Sequence, residues 1–112
     1  MITKDPREHG FIFERTEQGA VTNVPRLVTR HSPTGYEWGY YGSGPADLAL
    51  NIIEYVLLVE HFIPSLEDGA SLEANSIYQE FKERYIARIP REGGSIPFGV
   101  VVDYIKEKLS GY

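Results

Sequence analysis

Residues 35–50, Gly35-Tyr36-Glu37-Trp38-Gly39-Tyr40-Tyr41-Gly42-Ser43-Gly44-Pro45-Ala46-Asp47-Leu48-Ala49-Leu50, decide how this chain is read. Four aromatics and four glycines fall within the first ten of them. Tyr36, Trp38 and Tyr40 alternate, which predicts a strand with three rings on one face, packed over a core helix. Such a face could also serve as an aromatic platform for a base, sugar or peptide. Gly42-Ser43-Gly44-Pro45 then reads as a strand-to-helix elbow. Proline suits the first turn of a helix, Ser43 or Gly44 can cap it, and Asp47 suits the positive end of its dipole. The helix is expected from about Pro45 to His61. It is apolar on all sides but one narrow strip, and so is central to its domain.

Outward from that joint, strand-forming residues lie at Phe11–Arg15 and Ala20–Val24, with Glu17-Gln18-Gly19 as the turn of a hairpin. Arg26–Arg30 is a third extended piece, and His31–Gly35 is a turn. Residues 1–10 read as a lead-in, frayed at the end. Beyond the central helix, Ser65–Ser71 is an acidic loop. A second helix over Leu72–Ile89 carries the stripe Ala74, Ile77, Tyr78, Phe81 and Tyr85. Pro90 ends it, and Arg91–Gly94 is a turn. Phe98, Val101, Val102, Ile105 and Leu109 predict a last helix, although the β-branched run Val100–Val102 also suits a strand. The expected fold is α+β: a small antiparallel sheet, made of the N-terminal hairpin plus one or two further strands, packed on about three helices, with residues 1–112 forming one domain.

Composition narrows the function classes. The chain has 112 residues, 42% of them hydrophobic, 24% charged, and none of them cysteine. No disulfide scaffold or thiolate metal site can form, which fits a reducing, cytoplasmic setting. The first residues lack the continuous apolar run of a signal peptide, and Leu48–Ile63 is too short and too charged to span a bilayer. Net charge is −5. Residues 1–41 balance five bases against five acids, while Asp47–Glu83 holds eight acids and one base, Lys82. Phosphate neutralisation needs a basic surface, so nucleic acid is an unexpected partner. The acidic helices suit solubility, and a protein partner or self-association is the expected contact.

The blocks His31-Ser32-Pro33-Thr34-Gly35-Tyr36-Glu37-Trp38-Gly39-Tyr40 and Gly42-Ser43-Gly44-Pro45-Ala46-Asp47-Leu48-Ala49-Leu50 resemble the recurring S-P-x-G-[FY]-E-W-G-Y-G-G-S-G-P-A-x-L-A-L motif of a domain-of-unknown-function family. Its members are small proteins of bacterial, phage and plasmid genomes. Tyr78–Lys82 and Ile89–Gly93 resemble its second block. The chain departs from the pattern at Tyr41, where a glycine is expected. The resemblance implies a small accessory protein, often of a mobile element, and carries over no catalytic residue.

No motif here names a reaction. Free amides at the Gly42–Ala46 elbow suit an anion, but the elbow matches neither the Walker A nor the dinucleotide glycine pattern. Asp47, Asn51, Glu54 and His61 share one helix face. Asp47 and His61 lie about 21 Å apart, so one ion cannot hold all four, and the group reads as the wet face of a buried helix. Ser43, His31 and Glu37 can be combined into a triad only on paper. Arg84, Arg88 and Arg91 repeat at helical spacing, either as a clamp for an acidic group or set against the negative end of the helix dipole. The leading expectation is a non-catalytic interaction or regulatory protein, without metal or cofactor. Its rival is a binder of a small anion or nucleotide through Trp38, Tyr40, Gly42, Ser43 and Gly44. A hydrolase ranks third.

Overall fold

A computed structural model describes residues 2–29, 35–63 and 71–110. All but the last residue of the turn expected at His31–Gly35 and of the acidic loop expected at Ser65–Ser71 lies outside them. The fold is α+β, with a three-stranded antiparallel sheet and four α-helices among the described residues. In chain order these are α1 (Pro6–His9), β1 (Phe11–Thr16), β2 (Gly19–Thr22), α2 (Ser43–Val59), α3 (Leu72–Phe81), β3 (Gly93–Ile96) and α4 (Phe98–Leu109). A π-helical turn, Lys82–Ile86, follows α3 directly. Among the described residues, no helix is long and apolar enough to cross a membrane.

The hairpin forms where expected. Thr16 pairs with Gly19, which closes the turn at a φ of 109°, a conformation that costs glycine little. The rest of the sheet differs from expectation. The third strand is β3, which pairs with the other side of β1 to give the order β2-β1-β3. Its Gly-Gly-Ser sequence has no strand preference of its own. Pairing with β1 imposes the extended form, and only glycine fits at position 93. There φ is 131°, and a Cβ would run into the Phe13 carbonyl oxygen. Neither residues 26–29 nor the expected strand over Tyr36–Tyr41 joins a ladder. Residues 36–41 are an irregular loop, tied down where the Gly39 N–H donates to the Ile86 carbonyl at 3.0 Å.

The lead-in is not frayed over its described residues. Asp5 caps α1 by accepting from the Arg7 N–H at 2.9 Å, and Pro6 is buried. Asn23 holds both ends of this segment. Its Nδ2 donates to the carbonyls of Lys4 and Gly10, and its Oδ1 accepts from the Ile12 N–H at 2.9 Å.

One apolar core joins the sheet and the helices. Phe11 and Phe13 of β1 belong to the same buried cluster as Leu48, Ile52 and Val56 of α2, Ile77 and Phe81 of α3, and Val101 and Ile105 of α4. Residues 98–109 are helical, and the stripe expected on α3 faces the core with Ala74, Ile77, Tyr78 and Phe81 buried. α2 starts two residues earlier than expected, with Gly42 as its N-cap, and ends in a left-handed residue, His61, at φ 59°.

Candidate functional site

The elbow that opens α2 is organised by Arg15 of β1. Its guanidinium forms two parallel bonds to the Glu37 carboxylate, at 3.0 and 2.6 Å. Its Nε donates to the Arg91 carbonyl at 2.5 Å, and its charge lies 4.7 Å from the centre of the Trp38 ring. Trp38 Nε1 donates to the same carbonyl at 3.2 Å. One arginine thus joins β1, the aromatic loop and the turn before β3. Hydrogen bonding from Arg15 holds the Glu37 carboxyl below the usual carboxylate value. Tyr36 turns the other way and donates its hydroxyl to the Pro25 carbonyl at 2.8 Å, under the Arg26 guanidinium. Burial pushes the Tyr36 hydroxyl well up, so it stays a donor across the neutral range.

Beside this joint lies a groove of about 410 Å3, walled by Gly19, Tyr36, Glu37, Tyr40, Ser43 and Gly44 among others. Of the residues expected to bind a ligand, Tyr40, Ser43 and Gly44 line it. Trp38 does not: it is 0% exposed and packs against Phe13 with ring centres 5.5 Å apart. The three alternating rings therefore do not share a face, because the segment is not a strand. Trp38 goes to the core, Tyr36 is half-buried, and Tyr40 is exposed. Gly42 lies under the Tyr40 ring, where a Cβ would sit 2.5 Å from Cε2. At Gly44 a Cβ would come within 2.9 Å of the Glu37 Cβ. Both glycines serve close packing of the loop on the helix start. No side chain caps α2, but Glu37 sets a carboxylate in the same groove, which opposes an anion there.

The strip Asp47, Asn51 and Glu54 is not wet. All three are fully buried. Asn51 Oδ1 accepts from the N–H groups of Leu27 and Val28, at 2.6 and 2.8 Å. Its Nδ2 donates to the carbonyls of Val28 and Asp47, both at 2.8 Å. Glu54 accepts from the N–H and hydroxyl of Ser71, the N-cap of α3, at 2.7 and 2.5 Å. Arg26 approaches Asp47 at 3.7 Å. The polar face of α2 thus clips down segments that have no ladder of their own, which sequence spacing could not reveal. Within the described residues, no three histidine, aspartate or glutamate side chains are placed to hold a metal ion. His31 of the paper triad lies outside them.

A second corner brings Arg84 and Arg88, read from the sequence either as an acid clamp or as set against the helix dipole, together with Tyr41, to which that reading gave no role. Tyr41 is 64% exposed and shares a groove of about 400 Å3 with Glu80, Glu83, Arg84 and Arg88. Arg84 lies 3.9 Å from Glu80 and 3.7 Å from Glu107, at the surface. Arg91, the third member of the arginine series, does not line this groove.

No curated protein and no solved structure matches the chain. Residues 7–107 match a family of unknown function, DUF6166. The match runs from α1 to the last turns of α4, and the chain belongs to that family.

Proposed function

We propose that this protein is a non-catalytic interaction protein that binds a protein partner through the corner formed by Tyr41, Arg84 and Arg88, with the exposed Tyr40 next to Tyr41 in the chain. The observation that carries this reading is the exposure of Tyr40 and Tyr41, 45% and 64%, on a loop whose base is locked by Arg15 and Trp38. Tyrosine and arginine are the residues that dominate binding energy at protein interfaces, and a rigid base lowers the ordering cost of docking. The buried polar groups of α2 support the same reading, since they serve the protein's own backbone rather than a reaction. The motif shared with small proteins of bacterial, phage and plasmid genomes supports a cytoplasmic accessory or regulatory role in a mobile element. The test is capture from lysates of several bacterial hosts on immobilised protein, beside a Tyr41→Ala/Arg88→Glu variant with unchanged melting. A partner held by the parent and lost by the variant supports the reading. Equal recovery by both, or none from any host, counts against it.

The uncapped start of α2 favours a second reading, in which a small anion or nucleotide sits by Ser43, Gly44 and Tyr40. A rise in melting temperature with phosphate or nucleotides, abolished by Tyr40→Ala, would favour it over the first.

A further inference from the structure

Among the described residues, β3 is an edge strand whose outer side lines a groove. Ile12 N–H, on β1, bonds to Asn23 on the β2 side. Alternation along an antiparallel strand then turns the polar groups of Phe11 and Phe13 toward β3, where their partners are Ile96 and Gly94. The N–H and carbonyl of Ser95 consequently face away from the sheet. A groove of about 340 Å3 runs along that edge, walled opposite by Tyr85, Ile89 and the arginines Arg84 and Arg88. The same two arginines line the Tyr41 groove, so the two spaces adjoin at Arg84 and Arg88. Among the described residues, Arg88 has no carboxylate partner, in a chain of net charge −5. The ion pairs of Arg84 are long and exposed, and its guanidinium lies over the rings of Tyr85 and Tyr104. Glu80 and Glu83 sit at the far, Tyr41 end and repel an acid there, which leaves Arg88 as the point of attachment.

Resting on the interaction reading above, we propose that this groove takes an extended acidic segment of the partner protein. The segment adds beside β3 through the N–H and carbonyl of Ser95 and sets a carboxylate on Arg88. Backbone bonds to a sheet edge supply affinity, and the arginine supplies the choice of an acidic sequence. Gly93 gives its N–H to the Pro90 carbonyl and Pro97 has none, so the edge offers one outward N–H and cannot template a long ladder.

The test uses the full chain and a short fluorescent peptide of alternating valine and glutamate, beside the same peptide with lysine for glutamate. Amide exchange at Ser95 and fluorescence anisotropy are both read. Expected are slower Ser95 exchange with the glutamate peptide and roughly tenfold weaker binding for Arg88→Glu and for the lysine peptide. Ser95→Pro, tolerated on an edge whose N–H faces solvent, should weaken binding by about tenfold as well. Unchanged Ser95 exchange with the glutamate peptide at about 1 mM overturns the proposal, as does equal binding of both peptides. Ser95 protection that rises with protein concentration alone also overturns it, in favour of a second copy on this edge. A host partner lost by the Tyr41→Ala/Arg88→Glu variant but kept by Ser95→Pro would sink strand addition and leave the corner reading standing.

Discussion

Asn51 uses both ends of its amide inside the protein, as acceptor for two backbone N–H groups and donor to two carbonyls. Asparagine is unusual in a buried helix, and here it replaces the ladder that residues 27 and 28 lack. Replacing it with alanine leaves those groups without partners. The expected cost of Asn51→Ala is about 3 kcal/mol, measured by urea denaturation; a loss below about 0.5 kcal/mol would show that the strap is not needed. Glu37 carries a pH signature. Its carboxyl is held below the ordinary value of 4.5 by Arg15, so the native state favours the anion. That contribution is present above pH 4.5 and disappears as pH falls below it. Both side chains are partly exposed, which limits it to about 1 kcal/mol or less. Glu37→Gln should therefore melt lower than the parent at neutral pH, and the two curves of Tm against pH should converge on the acid side. None of these bonds was legible in the sequence. Residue type shows that a side chain can accept a hydrogen bond, but not which distant amide will lie beside it.

α2 and α3 were legible as elements, and α4 with a strand as its alternative, because each carries its own periodic apolar face, and periodicity is a local property; α1 was hidden in what reads as a lead-in. Their ends were less so. α2 stops through a left-handed His61, with the Phe62 N–H reaching back to the Leu57 carbonyl at 2.8 Å. That pattern is a helix stop that ordinarily uses glycine. His61→Gly should relieve the strain and raise stability by about 1 kcal/mol, read as a higher urea midpoint at unchanged slope. The π-helical turn was also hidden. It widens the backbone after Phe81, and the Ile86 carbonyl accepts from the Gly39 N–H. Aromatic alternation suggested a strand over residues 36–41, but among the described residues this segment pairs with no strand. β3 was missed for the opposite reason, since its weak sequence is shaped by an available partner in β1.

At the scale of the whole molecule, Trp38 is a reporter of assembly. It touches Phe13 of β1, lies under Arg15, and bonds to the carbonyl of Arg91 ahead of β3. Its emission should be blue-shifted and poorly quenched by iodide in the native state. It should change in one step with the far-UV circular dichroism during urea unfolding, as expected of one cooperative domain. An earlier fluorescence transition would separate the sheet corner from the helices. The sequence by itself determined the α+β class, the hairpin, the central apolar helix and the amphipathic helix after it, and left residues 100–102 open between helix and strand. These follow from turn chemistry and from spacings within a dozen residues. Only the tertiary structure decided that Asp47, Asn51 and Glu54 are buried clips, that Trp38 is core while Tyr40 and Tyr41 face solvent, and that Gly93–Ile96 completes the sheet. Each of these depends on groups far apart in the chain, whose polar atoms are satisfied only once the fold has brought them together.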